Sequence, residues 1–154
     1  MDDGQADVRR LMFEVLEGSW PVYLTTVDGE GRPRTRAMMN LRNRERFADL
    51  RHLFEDDPLL LLFTTNTSSA KVGDLRVNAA ASAYYCLVEE WRGLMLGGEV
   101  EVEDNPDVKR AIWHDGWELY YPGGYDDPDH TVLRMRPKVA RGWDGGSTFE
   151  LVLG

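Results

Sequence analysis

Short β-type segments separated by turns run along most of the chain, and this pattern constrains the fold more than any other feature of the sequence. The segments are rich in β-branched and aromatic residues, and Asp28-Gly-Glu-Gly-Arg-Pro33 is a strong turn signal between the first two. They cover residues 20–28, 34–41, 59–65, 80–89, 94–103, 130–136, 139–143 and 149–153. Because helices do not alternate with these strands, a doubly wound parallel sheet is disfavoured. The sequence predicts a mainly β (α+β) fold, a closed or partly closed antiparallel barrel with helices outside it.

Helical patterns occur in a few places between these strands. They cover residues 7–17, 45–57 and 68–77, and a further helix begins at Pro106. Gly18 is the stop signal of the first, and Ser68 or Ser69 is the N-cap candidate of the third. No break in composition divides the chain, so residues 1–154 are expected to form a single domain.

The composition limits the expected partners and compartment. A net charge of −9 argues against nucleic acid and anionic membranes as main partners. The longest strongly apolar run, residues 59–63, is too short to cross a bilayer, and the acidic start, residues 1–4, lacks the apolar core of a signal peptide. A cytoplasmic protein is therefore expected. Cys86 is the only cysteine, which excludes an internal disulfide, and its apolar neighbours predict a buried thiol.

Basic residues concentrate in one part of this acidic chain. Six of the eighteen lysines and arginines fall within residues 32–46, where Glu45 is the only acid. Arg34 and Arg36 are two residues apart on a predicted strand, so their side chains share one face. Arginine presents a planar set of donors suited to phosphate oxygens. An anion site and a solvated basic face both fit this pattern.

A second anion-binding signal follows the predicted strand 59–65. Hydroxyl side chains are frequent from Thr64 to Ser69, at the start of a predicted helix, where free backbone N–H groups and the helix dipole favour a negative group. Lys71 falls in the first helical turn, where a bound anion would offset the unfavourable position of a cation. A plain N-cap is the alternative explanation for the hydroxyl groups. Together the two signals predict a phosphate site.

These motifs follow one another in a recognisable order. Pro-Val-Tyr-Leu-Thr-Thr (21–26) and Arg-Pro-Arg-Thr-Arg-Ala-Met (32–38) precede Phe-Thr-Thr-Asn-Thr-Ser-Ser-Ala-Lys (63–71). The order resembles the FMN-binding split-barrel family related to pyridoxamine 5′-phosphate oxidase, especially its general-stress-protein branch, over residues 5–145. The resemblance implies an antiparallel six-stranded split β-barrel with peripheral helices, a homodimer, and FMN bound between the two subunits. FAD or a deazaflavin coenzyme is the alternative cofactor.

The resemblance also implies which residues bind the cofactor. They are Arg34, Arg36, Ala37, Met38, Met39, Thr64, Thr65, Ser69, Lys71 and Trp143. Arg36 and Lys71 would contact the phosphate, with help from Ser69. Residues 37–39 would lie beside the isoalloxazine and the ribityl chain, and residues 64–65 would contact the ring edge.

The sequence departs from the family pattern at several points. Where the oxidase carries Arg-Lys at the helix start, this chain has Ala70 and Lys71, so one phosphate contact is missing and Arg34 is the candidate replacement. Asn78-Ala79 stands where the family has Asn-Pro. Trp143 resembles a family tryptophan near the cofactor, and a core position fits it equally. The C-terminal arginine signature that holds the oxidase's vitamin substrate is absent, so synthesis of pyridoxal phosphate is not expected.

The resemblance implies an oxidoreductase in which FMN passes electrons from a reduced nicotinamide to a small acceptor, and it names no catalytic residue. The alternatives are a non-enzymatic flavin-binding module that acts during stress, a deazaflavin-dependent reductase, and a barrel with an empty cleft. Haem is disfavoured because no Cys-His pair is present. The aromatic segment 117–125 either closes over the cleft or packs between subunits, and packing between subunits is expected because its aromatic side chains are costly to expose.

Other chemistries are set aside on spacing. The three histidines are far apart and lack cysteine partners, so no zinc spacing is present. The aspartates at 126, 127 and 129 lack the twelve-residue calcium-loop pattern, and residues 142–147 lack a nucleophile elbow. No metal is therefore expected.

Overall fold

A computed structural model describes residues 3–154; Met1 and Asp2, part of the acidic start considered above, lie outside the described residues. The α-helices are α1 (Asp3–Gly18), α2 (Ala70–Val77) and α3 (Pro106–Ile112), and short 3₁₀ helices span Ala48–Phe54 and Trp117–Leu119. The strands are β1 (Val22–Val27), β2 (Pro33–Met38), β3 (Leu61–Asn66), β4 (Ala80–Leu87), β5 (Arg92–Glu103), β6 (His130–Met135), β7 (Val139–Asp144) and β8 (Ser147–Val152). None of the helices in the described range is long and apolar enough to cross a membrane.

The strands form one antiparallel, eight-stranded sheet that curls into a split barrel. Six strands follow the order β2-β1-β4-β5-β6-β3, while β7 pairs with β5 and β8 pairs with β7. The long strand β5 connects the two parts of the sheet, because its residues 92–99 pair with β4 and its residues 100–103 pair with β6. Gly98 lies next to this change of partner, where an added Cβ would come within 3.2 Å of the Arg136 carbonyl. The predicted antiparallel, mainly β split barrel is confirmed.

Two hydrophobic clusters hold the elements together. The main core packs α1 against the sheet through Met12, Val15 and Leu16, which are fully buried. Burial of each such side chain contributes about 1.5–3 kcal/mol. The second cluster packs both 3₁₀ helices and α3 against β3 and β6 through Leu41, Phe47, Leu50, Phe54, Leu62, Ile112, Trp117, Tyr121 and Val132. This second cluster fixes the position of residues 117–121.

Strand β2 ends three residues earlier than the sequence pattern predicts. The Asn40 amide donates to the carbonyls of Leu16 and Ser19 at 2.8 and 2.9 Å, and its Oδ1 accepts from the Arg42 N–H at 3.0 Å. The carbonyls at the end of a helix have no intrahelical partner, so this side chain satisfies them and turns the backbone out of the ladder. The chain after Met38 is therefore a turn anchored to the end of α1.

Cys86 is only partly buried, so the prediction of a buried thiol is wrong in degree. Strand β4 alternates, with Ala83 and Tyr85 facing the main core and Cys86 on the opposite face. The partial burial raises the pKa of the Cys86 thiol. The thiol is therefore protonated at neutral pH, which makes it a poor nucleophile.

Replacing Gly73 by alanine is expected to stabilise the protein. Gly73 lies inside α2, and nothing lies within 4 Å of the position that its Cβ would occupy. Glycine inside a helix costs about 0.5–1 kcal/mol relative to alanine, so Gly73→Ala should raise the free energy of unfolding by that amount. Urea unfolding followed by circular dichroism measures the change. A decrease in stability would show that the methyl group meets an obstacle.

Candidate functional site

A pocket of about 230 Å³ opens where β2 and β3 end and α2 begins. Its lining residues are Ala37, Met38, Met39, Thr64, Thr65, Asn66, Lys71, Tyr120 and Tyr121. The structure thus brings together most of the residues that the sequence predicted, although they come from three separate segments. A larger cleft of about 530 Å³, between α1 and the first 3₁₀ helix, contains none of them and carries both signs of charge.

Two cations lie beside this pocket. Arg36 pairs with Leu24 across the β1–β2 ladder, and its guanidinium donates to Thr26 Oγ1 at 2.8 Å and to the Leu24 carbonyl at 3.2 Å. The Lys71 ammonium donates to Thr65 Oγ1 at 2.8 Å. Within residues 3–154, neither cation forms an ion pair with a carboxylate. Arg36 and Lys71, called the cation pair below, are therefore held by hydroxyl and carbonyl groups alone.

The electrostatics of the cation pair favour an anion. Burial lowers the pKa of Arg36, an effect that the charge of Asp74 opposes. Burial also lowers the pKa of the Lys71 ammonium, and the charge of Arg36 lowers it further. Like charges that are half-buried together disfavour their own ionised forms. An anion bound between them would relieve both the desolvation and the repulsion.

The start of α2 adds neutral donors to this positive region. Ser69 is the N-cap, with extended backbone angles of φ −71° and ψ 150°, and its hydroxyl makes no capping hydrogen bond. The Ser69 Oγ atom is buried and has no hydrogen-bond partner among the described residues. Buried hydroxyl groups are usually satisfied, so the Ser69 hydroxyl is an unused hydrogen-bonding group at the start of α2, although Ser69 is not among the residues that line the pocket. The predicted N-cap is confirmed in position, and its free hydroxyl fits an anion site better than a plain cap.

Arg34 does not line the pocket. Its guanidinium lies 3.3 Å from the Asp28 carboxylate and 3.9 Å from that of Asp74, and its side chain is 48% exposed. Both of these carboxylates already offset its charge. The structure therefore places Arg34 beside two acids, one of them on α2, and like Arg36 and Ser69 it is not among the lining residues.

Asp129 stabilises the turn that connects β3 to α2 through hydrogen bonds. Its carboxylate accepts from the Asn66 amide at 2.7 Å and from the Ser68 N–H at 2.8 Å, and its carbonyl accepts from the Thr67 N–H at 2.8 Å. The Asn66 side chain and the Ser68 backbone hold the pKa of Asp129 below its usual range. Asp129 thus orients the turn that carries Ser69, a role that its sequence context did not reveal.

Replacing Asp129 by asparagine is expected to lower the stability at neutral pH but not in acid. Because the folded pKa of Asp129 lies below the ordinary value of 3.8, its ionised form stabilises the fold above pH 3.8. That contribution is lost as the pH falls from 3.8 through the folded pKa. Urea unfolding of wild type and Asp129→Asn at several pH values should give curves that converge in acid. Asp126→Asn, in the same loop, is the control, and a difference that stays constant down to pH 3 would contradict this role.

The aromatic segment 117–125 closes one side of the pocket within the same chain. Trp117 and Tyr121 are only 7% and 4% exposed because they belong to the second hydrophobic cluster. Tyr120 is 58% exposed and lines the pocket together with Tyr121. This segment was expected to pack between subunits because its aromatic rings are costly to expose. The rings of Trp117 and Tyr121 are already buried within one chain, so they do not require a second subunit. The sequence marked the segment as aromatic but did not place it at the pocket.

Trp143 does not line the pocket of its own chain. Its ring stacks on Tyr84 with centroids 5.6 Å apart, and Tyr84 in turn lies 6.5 Å from the ring of Tyr23. These three rings, called the aromatic row below, lie on the sheet face opposite the main core, where each is partly exposed. Tyr23 pairs with Ala37, which lines the pocket, so the aromatic row begins at the edge of the pocket.

The titratable groups of the pocket lining are the Lys71 ammonium and the hydroxyls of Tyr120 and Tyr121. None of its lining residues in the described range is an aspartate, glutamate, histidine or cysteine. Histidine, cysteine and acidic side chains also form no group of three that could hold a metal ion in residues 3–154.

Comparisons with known proteins agree with the fold. The family described as pyridoxamine 5′-phosphate oxidase matches residues 9–144. A Clostridium acetobutylicum protein related to general stress protein 26 of Bacillus subtilis is 27% identical, with a TM-score of 0.76 over 99% of this chain and 97% of that one. No curated protein matches the chain significantly in sequence.

Two further solved structures are similar in fold at lower identity. The FMN-binding protein related to pyridoxamine 5′-phosphate oxidase from Nostoc punctiforme is 13% identical, with a TM-score of 0.60 over 100% of this chain and 98% of that one. A heme-binding protein from Mycobacterium smegmatis is 14% identical, with a TM-score of 0.66 over 92% of this chain and 56% of that one.

Proposed function

Because the chain belongs to the pyridoxamine 5′-phosphate oxidase family, we propose that its pocket binds a flavin, and that this flavin is FMN. In this proposal Arg36, Lys71 and Ser69 bind the phosphate. Residues 37–39 lie beside the ring system and the ribityl chain, and residues 64–65 contact the ring edge. The Nostoc punctiforme protein with the same fold is described as FMN-binding.

The observation that carries the proposal is the cation pair without a carboxylate partner. Charged groups that are removed from water are normally paired, because an unpaired buried charge is costly. Here Lys71 and the unpartnered Ser69 hydroxyl lie at the start of α2, and the Arg36 charge is close enough to lower the pKa of Lys71. A phosphate would accept from all three groups and from the free backbone N–H groups of the helix start. The residues present therefore fit a phosphorylated cofactor.

The size of the pocket supports a site shared by two subunits. Cofactor sites usually enclose roughly 300–1,000 Å³, whereas this chain alone encloses about 230 Å³. The aromatic row of Tyr23, Tyr84 and Trp143 is partly exposed and starts at the pocket edge. In the proposed homodimer a second copy covers this face and completes the ring site. Through that contact, Trp143 of one subunit approaches the cofactor of the other.

The proposed activity is the transfer of electrons from a reduced nicotinamide to a small acceptor. The bound flavin supplies the hydride chemistry, while the chain binds and orients it and limits the access of water. The described pocket lining consists of apolar, hydroxyl and amide side chains with Lys71, and the absence of carboxylate, imidazole and thiol groups from it fits this division. The same absence also supports a flavin-binding module without turnover, which is the second candidate. Neither candidate requires a vitamin substrate.

The colour of the purified protein and the mass of the compound released by heat test the proposed function. We expect a yellow protein that releases FMN; release of FAD or a deazaflavin would correct the cofactor and keep the site. A colourless protein that does not quench the fluorescence of added FMN would reject the proposal. Oxidation of NADH or NADPH by the flavin-loaded protein, with a range of small acceptors, then separates the enzyme from the binding module.

A further inference from the structure

A buried histidine lies directly behind the pocket and contacts a lining residue. His130 is 1% exposed, and its Nδ1 lies 2.7 Å from the Tyr125 carbonyl oxygen. Its Nε2 lies 2.9 Å from Thr64 Oγ1, and Thr64 lines the pocket. His130 itself does not line the pocket, so it acts on a ligand only through Thr64.

These contacts fix the position of each proton. A carbonyl oxygen only accepts, so Nδ1 carries the proton that it donates to Tyr125. Burial lowers the pKa of His130, which favours the neutral ring, and a neutral ring protonated at Nδ1 has a bare Nε2. The single hydroxyl proton of Thr64 therefore points to Nε2. The Tyr121 hydroxyl oxygen is the second acceptor within reach of Thr64 Oγ1, but at 3.4 Å it is much the weaker one, since His130 Nε2 lies at 2.9 Å.

Because the Thr64 hydroxyl donates its proton to His130, it has only lone pairs left for a ligand in the pocket. We infer that Thr64 is a fixed hydrogen-bond acceptor that selects a ligand edge carrying an N–H group, and that His130 is the positioning residue that makes it so. A threonine without such a neighbour rotates its hydroxyl and takes either donors or acceptors. Here a ligand edge that carries only carbonyl groups would face the lone pairs of the Thr64 hydroxyl and would bind poorly.

This inference rests on the proposed function, and it predicts which edge of the isoalloxazine ring meets Thr64. The oxidised isoalloxazine has one ring N–H, which is N3 of its pyrimidine end, between two carbonyl groups. Thr64 would accept from N3–H. Tyr121 also lines the pocket, and its hydroxyl, kept protonated because burial raises the pKa of Tyr121, would be the donor available to a neighbouring carbonyl. These two residues would therefore hold the pyrimidine edge of the ring.

The test compares riboflavin with its 3-methyl derivative. Methylation removes the N3 proton, and because riboflavin has no phosphate group, the phosphate contacts do not enter the measurement. In the wild type, methylation should weaken binding by about 3- to 10-fold, the range of one neutral hydrogen bond. In Thr64→Val the two ligands should bind within about twofold of each other, and Thr64→Ser should restore the wild-type ratio. An unchanged ratio in Thr64→Val would overturn the inference while leaving flavin binding intact. If wild type binds neither ligand, the same ratio is measured with FMN and its 3-methyl derivative; failure to bind FMN as well would reject the proposed function and this inference with it.

The protonation of His130 is measured independently of any ligand. Nitrogen-15 NMR of the imidazole should show a proton on Nδ1 and none on Nε2 in the wild type. His130→Asn keeps a donor for the Tyr125 carbonyl and removes the acceptor for Thr64, so its methylation ratio should fall toward that of Thr64→Val. A proton on Nε2 would overturn the inference even if the variants fold poorly.

Discussion

Lys71→Met should weaken FMN binding by about 10- to 150-fold and leave riboflavin binding nearly unchanged. The ammonium group is half-buried beside Arg36 and donates only to Thr65 among the described residues. A hydrogen bond to a charged group contributes about 1.5–3 kcal/mol, which corresponds to this range of affinity. Methionine keeps the length and the apolar stem of the side chain, so the packing at the start of α2 is retained. Fluorescence quenching of each flavin on titration with protein measures both affinities.

The comparison between the two ligands is the main control, because riboflavin lacks the phosphate. Lys138→Met removes a lysine charge at an exposed position far from the predicted site and should leave FMN binding unchanged. Arg36→Ala should reproduce the selective loss of FMN affinity. If both Lys71→Met and Arg36→Ala bind FMN as the wild type does, the phosphate lies elsewhere. An equal loss for FMN and riboflavin would instead point to damage of the ring site.

Gly142→Ala should lower the free energy of unfolding and the melting temperature. An added Cβ would lie 2.5 Å from the Gly93 carbonyl oxygen and 2.5 Å from the Phe149 ring. Gly93 belongs to the neighbouring strand, where Leu94 pairs with Gly142, so relief requires a shift of the β5–β7 ladder. Overpacking of this kind costs about 1–3 kcal/mol or more, and the melting temperature should fall by about 2–12 °C.

Gly146→Ala is the matched control for this substitution, because it lies in the turn that follows β7 and its Cβ would meet nothing within 4 Å. Thermal unfolding followed by circular dichroism should separate the two variants clearly. Equal melting temperatures would mean that β7 can move away from β5 at little cost. A displaced β7 would also move Trp143, so the fluorescence of the tryptophans reports the same shift.

The local parts of the fold and the site could be predicted from the sequence. Alternating apolar residues and turn signals give the strands, because side-chain direction in a strand depends only on position along the chain. The N-cap at Ser69 and the cation at Lys71 follow from the chemistry of a helix start. The resemblance to a known family then supplied the relation between Arg36 and Lys71, which lie 35 positions apart.

Contacts between distant segments could not be predicted in this way. Asn40 ends β2 early because it reaches carbonyls of α1, a partner that no local pattern indicates. Arg34 meets Asp74 only after α2 packs against the first hairpin. His130 and Tyr121 reach Thr64 across more than fifty residues, so their place behind and beside the pocket depends on the assembled barrel.

The cation pair without a carboxylate partner has a consequence for how fully the proposed cofactor site is occupied. Positive groups without a carboxylate attract any small oxyanion, including inorganic phosphate and sulfate. Such ions would compete with the proposed cofactor for the donors of Arg36, Lys71 and Ser69. The occupancy of the site then depends on the ratio of flavin phosphate to free phosphate around the protein. A medium rich in phosphate favours release, and a medium depleted of phosphate favours retention.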